Sequence, residues 1–177
     1  MTAILGLNAY HPDAVACLLV DGRVVAAVAE ERLGRRIKHY AAFPSCAIRS
    51  VLEMAGLRLK DVDYVALGHD NNANLSAKLS FVARHPVRSA GAVLSHFSRR
   101  GAMTRLAERI ARACDEGADQ CRFKTAFVEH HLAHLASSFF ASPFERAAGF
   151  SYDGSGDFVS AMYVRCEGNK IEILKRV

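Results

Sequence analysis

Two histidines that are four residues apart are the first feature of this sequence that could bind a metal ion. They begin and end the run HHLAH at positions 130–134. Residues with this spacing share one face of a helix, so His130 and His134 can direct both imidazoles at one ion while His131 points elsewhere. The zinc-protease motif HExxH has the same spacing but requires a glutamate as base, and His131 stands in its place. The pattern disfavours a metalloprotease, and two histidines with ordinary hydrogen bonds are the alternative to a metal pair.

A loop rich in acidic residues and glycine is the second such feature. The sequence DGSGD occupies positions 153–157, directly after an apolar strand pattern. Gly154 and Gly156 allow a sharp bend or a close approach to phosphate, so we predict that they bind a nucleotide cofactor. Asp153 can hold a metal, and with two histidines it forms a mixed ligand set suited to Fe(II), Mn(II) or Zn(II). An ordinary turn is the alternative, because DG and GD are common turn dipeptides.

The third candidate feature is a polar loop at positions 8–13, with a charged stretch at 30–39 further along the chain. Loops between the first two strands of a sheet often surround phosphate, and cations stabilise phosphoryl and carbamoyl oxygens. We therefore select Asn8 and Lys38 as candidate cofactor contacts. A solvated turn and a charged surface crossing remain the alternative.

The strands and helices that position these residues are predicted from the spacing of apolar residues and from turn-forming sequences. The first 29 residues predict an antiparallel meander, and later strands alternate with helices, which predicts a mixed sheet in an α/β domain. If the strand before Asp153 lies beside the strand before the histidine helix, both features reach the carboxyl edge of one sheet. Strands are predicted at 3–7, 14–20, 23–29, 63–67, 125–128, 149–152, 158–164 and 170–177, and helices at 44–55 and 129–140.

Composition sets the class of protein. A chain of 177 residues with 51% apolar and 23% charged residues has an ordinary globular balance. No apolar stretch approaches the roughly 20 residues of a membrane span, and no basic region precedes the first strand, so we expect a cytoplasmic protein with no membrane partner. The five cysteines are scattered and include no CxxC pair, which indicates neither a disulfide framework nor a zinc knuckle.

The positive charge is concentrated in one part of the chain. The net charge is +5, and a single acid, Glu108, lies among the basic residues of a helical segment. Such a segment could contact an anion, an acidic domain or nucleic acid, or it could be an ordinary solvated or domain-facing helix surface, which we favour. The sequence contains no tryptophan and no nucleic-acid motif, so we do not expect a nucleic-acid partner. The basic residues are Lys78, Arg84, Arg88, Arg99, Arg100, Arg105, Arg109 and Arg112.

Three segments together resemble a known family. They read ILGLNAYHPDAVACLLVDGRVVAAVAEERLGRRIKHYAAFP, VEHHLAHLASSFFASPFE and SYDGSGDFVSAMYV, in this order. They are similar to the amino-terminal region of O-carbamoyltransferases, which include nodulation-factor and antibiotic-tailoring enzymes. The resemblance implies an actin-like ATPase (ribonuclease H-like) fold. We expect residues 1–157 to form its first lobe. The sequence pattern predicts a helical insertion at about 74–121 and the start of a second-lobe hairpin at 158–177.

The resemblance also implies a reaction. A carboxyl-terminal adenylating domain makes carbamoyl-adenylate from carbamoyl phosphate and ATP, and the first domain transfers the carbamoyl group to a hydroxyl of a sugar or antibiotic-like acceptor. The family motif assigns the metal to His130, His134 and Asp153, and we favour Fe(II). His11 or Asp13 is the candidate base, and Lys38 would offset phosphate charge. We expect this chain to be a folded but inactive part of such an enzyme, without the adenylating domain.

Two other functions within the same superfold remain open. A sugar- or acetate-kinase-like protein or another ATPase would use carboxylates and Mg²⁺, and the histidine pair argues against it. A tRNA threonylcarbamoyl-type transferase shares the histidine pair, and tRNA binding that weakens steeply with salt would favour it. A non-catalytic interaction module would show neither metal nor nucleotide affinity.

Overall fold

The fold is described from a computed structural model of the chain. It describes residues 1–10, 12–34, 39–70, 72–86 and 105–177. These residues divide into two compact units: unit 1 holds those up to 68 and from 105 to 127, and unit 2 holds those from 69 to 86 and from 128 to 177.

The described residues begin and end with runs of three strands, and between these runs lie four helices and two further strands. The strands are β1 Ala3–Asn8, β2 Val15–Val20, β3 Arg23–Ala29, β4 Tyr64–Leu67, β5 Lys124–Phe127, β6 Arg146–Gly156, β7 Val159–Glu167 and β8 Lys170–Arg176. The helices are α1 Ser45–Ala55, α2 Leu75–Arg84, α3 Leu106–Ala113 and α4 His130–Phe140.

Unit 1 is built on a five-stranded mixed sheet with strand order β3-β2-β1-β4-β5. The first three strands are antiparallel, while β1, β4 and β5 run parallel to one another. Asp21 and Gly22 both have positive φ between β2 and β3, as a tight hairpin turn requires. The predicted mixed α/β sheet, with a meander followed by parallel strands, is confirmed.

Two helices complete the core of unit 1. Ile48 and Val51 of α1 are fully buried, and this helix ends at Gly56, whose φ of 66° is left-handed. We predicted residues 74–121 as an insertion outside the sheet, but α3 belongs to this core, where Leu106 and Ile110 are buried one turn apart. Of the predicted basic segment, α2 lies in unit 2 and α3 in unit 1, and positions 87–104 lie outside the described residues.

Unit 2 is built on a three-stranded antiparallel sheet in the order β6-β7-β8. Leu135 of α4 is buried together with Met162 and Val164 of β7. The condition that β6 lies beside β5 in one sheet is not met, because β5 belongs to the five-stranded sheet and β6 pairs with β7 at the edge of the three-stranded sheet. The predicted boundary between lobes at residue 157 falls in the turn after Gly156, inside unit 2, and does not match a limit of either unit.

The structure also shows whether a helix could cross a membrane and which state the cysteines are in. No helix in the described ranges has the length and apolar character needed to cross a bilayer. All five cysteines are free thiols.

Candidate metal centre

The first turn of α4 brings two histidine side chains together. The Nε2 atoms of His130 and His134 are 3.1 Å apart, and the two ring centroids are 4.5 Å apart. Their spacing of one helical turn places both rings on one face, as predicted.

Asp153, near the end of β6, completes a cluster with these histidines. Its Oδ2 atom lies 2.8 Å from the Nε2 atom of His130 and 3.8 Å from that of His134. One ligand atom from each of the three residues falls within 4.8 Å of the other two. An ion about 2.1 Å from each donor would hold neighbouring donors about 3.0 to 3.4 Å apart. The 3.1 Å separation of the two histidines lies in this range, and the 2.8 Å and 3.8 Å separations from Asp153 lie on either side of it, so a small shift of the carboxylate would let the three residues share an ion.

The charge and exposure of the cluster also suit a cation. The hydrogen bond with His130, followed by the backbone N–H of Gly154, holds the pKa of the Asp153 carboxyl below its ordinary value. The carboxylate is therefore ionised at neutral pH and can offset positive charge. The side chain of His130 is 12% exposed, while that of His134 is 56% exposed. The cluster is thus anchored on one side and open on the other.

The two glycines of the loop have different surroundings. A Cβ atom on Gly156 would lie 2.0 Å from Cδ2 of His130, whereas one on Gly154 would have no neighbour within 4 Å. A glycine is therefore required at 156 because the His130 ring packs directly against its backbone. Their predicted role as cofactor contacts stays a prediction.

His131 has a structural environment quite unlike that of its two neighbours. It is fully buried, and its ring nitrogens lie 2.8 Å from the hydroxyl of Ser151 and 2.8 Å from the carbonyl oxygen of Val159. A carbonyl only accepts, so in the neutral ring Nε2 donates to Val159 and Nδ1 accepts from Ser151. As predicted, His131 is not directed at the point where His130 and His134 converge: its ring nitrogens face Ser151 and Val159, and its ring meets that of His130 edge-on with centroids 5.4 Å apart.

The amino terminus of α4 is held by a buried carboxylate from the turn after β6. Asp157 Oδ2 accepts the backbone N–H groups of His130, at 2.8 Å, and Asp70, at 3.0 Å. Asp157 Oδ1 pairs with Nδ1 of His69. The side-chain amide of Asn74 donates to the Asp157 carbonyl at 3.0 Å. Burial raises the pKa of Asp157, but the bonds from His69 and the two amides outweigh it and leave the pKa below its ordinary value.

A second carboxylate, Glu129, immediately precedes the helix. It is 8% exposed and accepts hydrogen bonds from Arg176 on both oxygens and from the Asn74 amide. Burial raises the pKa of Glu129, but the bonds and the charge of Arg176, with the bond from Asn74, bring it below its ordinary value. The charged form is therefore favoured in the folded state.

Replacing Glu129 with glutamine is expected to make stability less dependent on pH. Because the pKa of Glu129 is lower in the folded protein than in the unfolded chain, its carboxylate stabilises the fold fully above about pH 4.3. This stabilisation is lost as the pH falls through the lowered pKa. At pH 7 the variant should lose about 1.5 to 3 kcal/mol, the usual contribution of hydrogen bonds to a charged group. Urea unfolding across this range measures the effect, with Glu53→Gln on the exposed side of α1 as control. Parallel pH curves for parent and Glu129→Gln would contradict the assignment.

The other predicted site residues belong to unit 1 or lie outside the described residues. Asn8 and Asp13 are in unit 1, where the Asn8 amide donates to the carbonyls of Pro12 and Asp13 and shapes the loop. The carboxylate of Asp13 lies 3.0 Å from Nδ1 of His39. His11 and Lys38 lie outside the described residues. The structure does not bring Asn8 or Asp13 into the unit that holds the histidine cluster.

A cavity of about 380 Å³ adjoins the cluster within unit 2. Its size suits a small organic ligand. Aromatic, hydroxyl and cluster side chains share its wall: His134, Leu135, Ser138, Phe150, Ser151, Tyr152 and Asp153.

Sequence reasoning missed the residues that support α4. No role in supporting this helix was predicted for Asp157, Glu129, Asn74, His69 or Arg176. The only local signal is the acidic residue directly before the histidine run. The partners of these residues are distant in sequence, and no spacing rule reveals them.

The comparisons with known proteins give the family. A family described as carbamoyltransferase N-terminus matches residues 3–177, and the chain belongs to it. Nodulation protein NolNO of Sinorhizobium fredii is 33% identical over 94% of this chain and 23% of its own length. The uncharacterized protein sll1178 of Synechocystis is 37% identical over 97% of this chain and 28% of its own length. The chain thus spans less than a third of either relative, and the predicted resemblance is confirmed.

Two solved structures align over almost the entire chain. YeaZ from Pseudomonas aeruginosa aligns with a TM-score of 0.48 and 15% identity, covering 100% of this chain and 66% of that one. A second chain, described as an uncharacterized protein with similarity to peptidase YEAZ from Pseudomonas aeruginosa, aligns with a TM-score of 0.43 and 18% identity over 99% of this chain and 64% of that one. The α/β class of this protein rests on its own strand order and pairing.

Proposed function

We propose that this chain is the metal-binding part of an O-carbamoyltransferase with an actin-like domain, which transfers a carbamoyl group from carbamoyl-adenylate to a hydroxyl of a small acceptor. Carbamoyl phosphate and ATP would be the sources of the adenylate. The family membership supports the reaction class. A cytoplasmic location is part of the same proposal.

The observation that carries the proposal is the convergence of His130, His134 and Asp153 within 4.8 Å. Two imidazoles and one carboxylate form the donor set of open non-haem Fe(II) sites, and Mn(II) or Zn(II) also accepts it. When bound, the metal would polarise the carbamoyl oxygen. The donor set would hold the ion, and Asp153 would offset one of its charges.

The remaining chemistry falls to binding and proton transfer. The acceptor hydroxyl oxygen would attack the carbamoyl carbon, the bond from that carbon to the adenylate oxygen would break, and the hydroxyl proton would pass to a base. His11 and Asp13 stay the candidates for that base. The cavity of about 380 Å³ beside His134 and Asp153 is large enough for a small acceptor.

Metal content and carbamoyl transfer of the full-length protein test this function together. His130→Ala and His134→Ala should each lose the bound Fe(II) and stop transfer to a panel of sugar acceptors, read as the mass gain of one carbamoyl group. Ser137→Ala, at an exposed position of the same helix, should retain both. A parent protein that binds no divalent metal, or histidine variants that keep it, would refute the proposal.

A further inference from the structure

Asp157 has an unusual position for a turn residue. Its side chain is fully buried, with 0% exposure, although it lies between two strands joined by a two-residue turn. Both oxygens face hydrogen-bonding groups: Oδ1 faces His69, and Oδ2 faces the backbone N–H groups of Asp70 and His130. Oδ2 is therefore bound to two backbone amides, and Oδ1 is buried against the His69 ring.

The backbone N–H of His130 is the group through which Asp157 contacts the first residue of α4. His130 is the first residue of α4, and helix N–H groups at this end lack partners within the helix. Glu129, at the capping position, makes no side-chain capping bond. Asp157 supplies the acceptor from 27 residues further along the chain. A carboxylate also suits the positive end of the helix dipole.

The turn holds Asp157 at a backbone cost. Asp157 and Phe158 have φ values of 50° and 70°, both in the left-handed region. This region suits a tight hairpin turn but is unfavourable for a bulky residue such as phenylalanine. Strained backbone persists where surrounding contacts fix it, and the bond from Asn74 to the Asp157 carbonyl is one such contact.

We infer that Asp157 is a positioning residue for the metal ligand His130. It would fix the start of α4 so that the His130 ring lies against Gly156 with its Nε2 atom beside Asp153. Asp157 itself is not among the three residues whose ligand atoms converge, and its Oδ2 atom binds two backbone amides, so it would act on the ion only through His130. This inference rests on the proposed function for the metal, but the placement of His130 can be measured without any ion.

Two variants of Asp157 separate the hydrogen bond from the charge. Asp157→Ala removes the acceptor, whereas the amide oxygen of Asp157→Asn can still accept from both backbone N–H groups, and its NH₂ can face His69. If positioning is the role, alanine should be damaging and asparagine should rescue. A role of the charge alone would make the two variants equally weak.

The experiment titrates Co(II) into the metal-free full-length protein and records the affinity and the visible absorption spectrum. Asp157→Ala should bind about 10- to 100-fold more weakly, the usual effect of losing an outer partner of a ligand, with an altered spectrum. Asp157→Asn should stay within a few-fold of the parent by the same measure. Phe139→Leu, at the far end of α4, controls for a general loss of stability.

Hydrogen exchange of the metal-free proteins gives the second readout. Amides in the first turn of α4 should exchange faster in Asp157→Ala than in the parent or in Asp157→Asn. The inference would be overturned if Asp157→Ala showed the amide exchange or the Co(II) affinity of the parent. It would also be overturned if Asp157→Asn or Phe139→Leu bound Co(II) as weakly as Asp157→Ala does. A parent that fails to bind Co(II) would refute the metal function itself, and with it the role of Asp157 toward a ligand.

Discussion

Replacing Asp153 with asparagine is expected to remove the metal from the full-length protein and with it carbamoyl transfer. The carboxylate is the only anionic member of the three-residue cluster, and its Oδ2 atom lies 2.8 Å from His130. Asparagine keeps the shape but loses the charge that offsets a dication. Metal affinity should fall by more than the roughly 10- to 100-fold effect of an outer partner, because a direct donor is lost.

The fold should survive this substitution. The side chain of Asp153 is 42% exposed, and exposed ion pairs contribute about 1 kcal/mol or less to stability. Metal analysis together with thermal unfolding of the metal-free protein separates the two effects. Asp119→Asn, at an exposed position of unit 1, is the matched control and should change neither quantity. Full metal occupancy in Asp153→Asn would contradict its assignment as a ligand.

Replacing Gly156 with alanine is expected to have a comparably large effect for a steric reason. The added methyl would lie 2.0 Å from Cδ2, 2.3 Å from Cγ and 2.8 Å from Cβ of His130. Because the contact includes the Cβ atom, a simple ring rotation cannot relieve it, and α4 or β6 must move. Such overpacking costs about 1 to 3 kcal/mol, and here it displaces a proposed ligand.

Gly154 provides the matched control for this steric effect. A methyl group there meets no atom within 4 Å, and the residue is exposed. Gly154→Ala should therefore keep the metal affinity and unfolding temperature of the parent. In Gly156→Ala both the Co(II) affinity, measured by titration, and the temperature of thermal unfolding should fall. Equal Co(II) affinity in the two variants would contradict the close approach of His130 to this strand.

Local patterns in the sequence predict most of the elements and part of the site. The spacing of His130 and His134 places them on one face, and the turn at Asp21 and Gly22 forms the predicted hairpin. These features depend on contacts between residues that are close in sequence. Helical period and turn chemistry are sufficient to predict such contacts.

The pairing of distant elements is less accessible to such reasoning. Asp153 does approach the histidines, but not through the predicted neighbouring strands, since β6 and β5 belong to different sheets. An apolar strand pattern does not specify its partner. The reason for a glycine at 156 was also unpredictable, because the atom that excludes a side chain belongs to His130, 26 positions earlier in the chain.

Anomalous X-ray diffraction from crystals of the full-length protein loaded with Fe(II) or Mn(II) tests the central claim most directly. The proposal predicts one strong anomalous peak in unit 2, about 2.0 to 2.3 Å from the Nε2 atoms of His130 and His134 and from a carboxylate oxygen of Asp153. An absence of metal at these three side chains, or an ion held there by other residues, would contradict it.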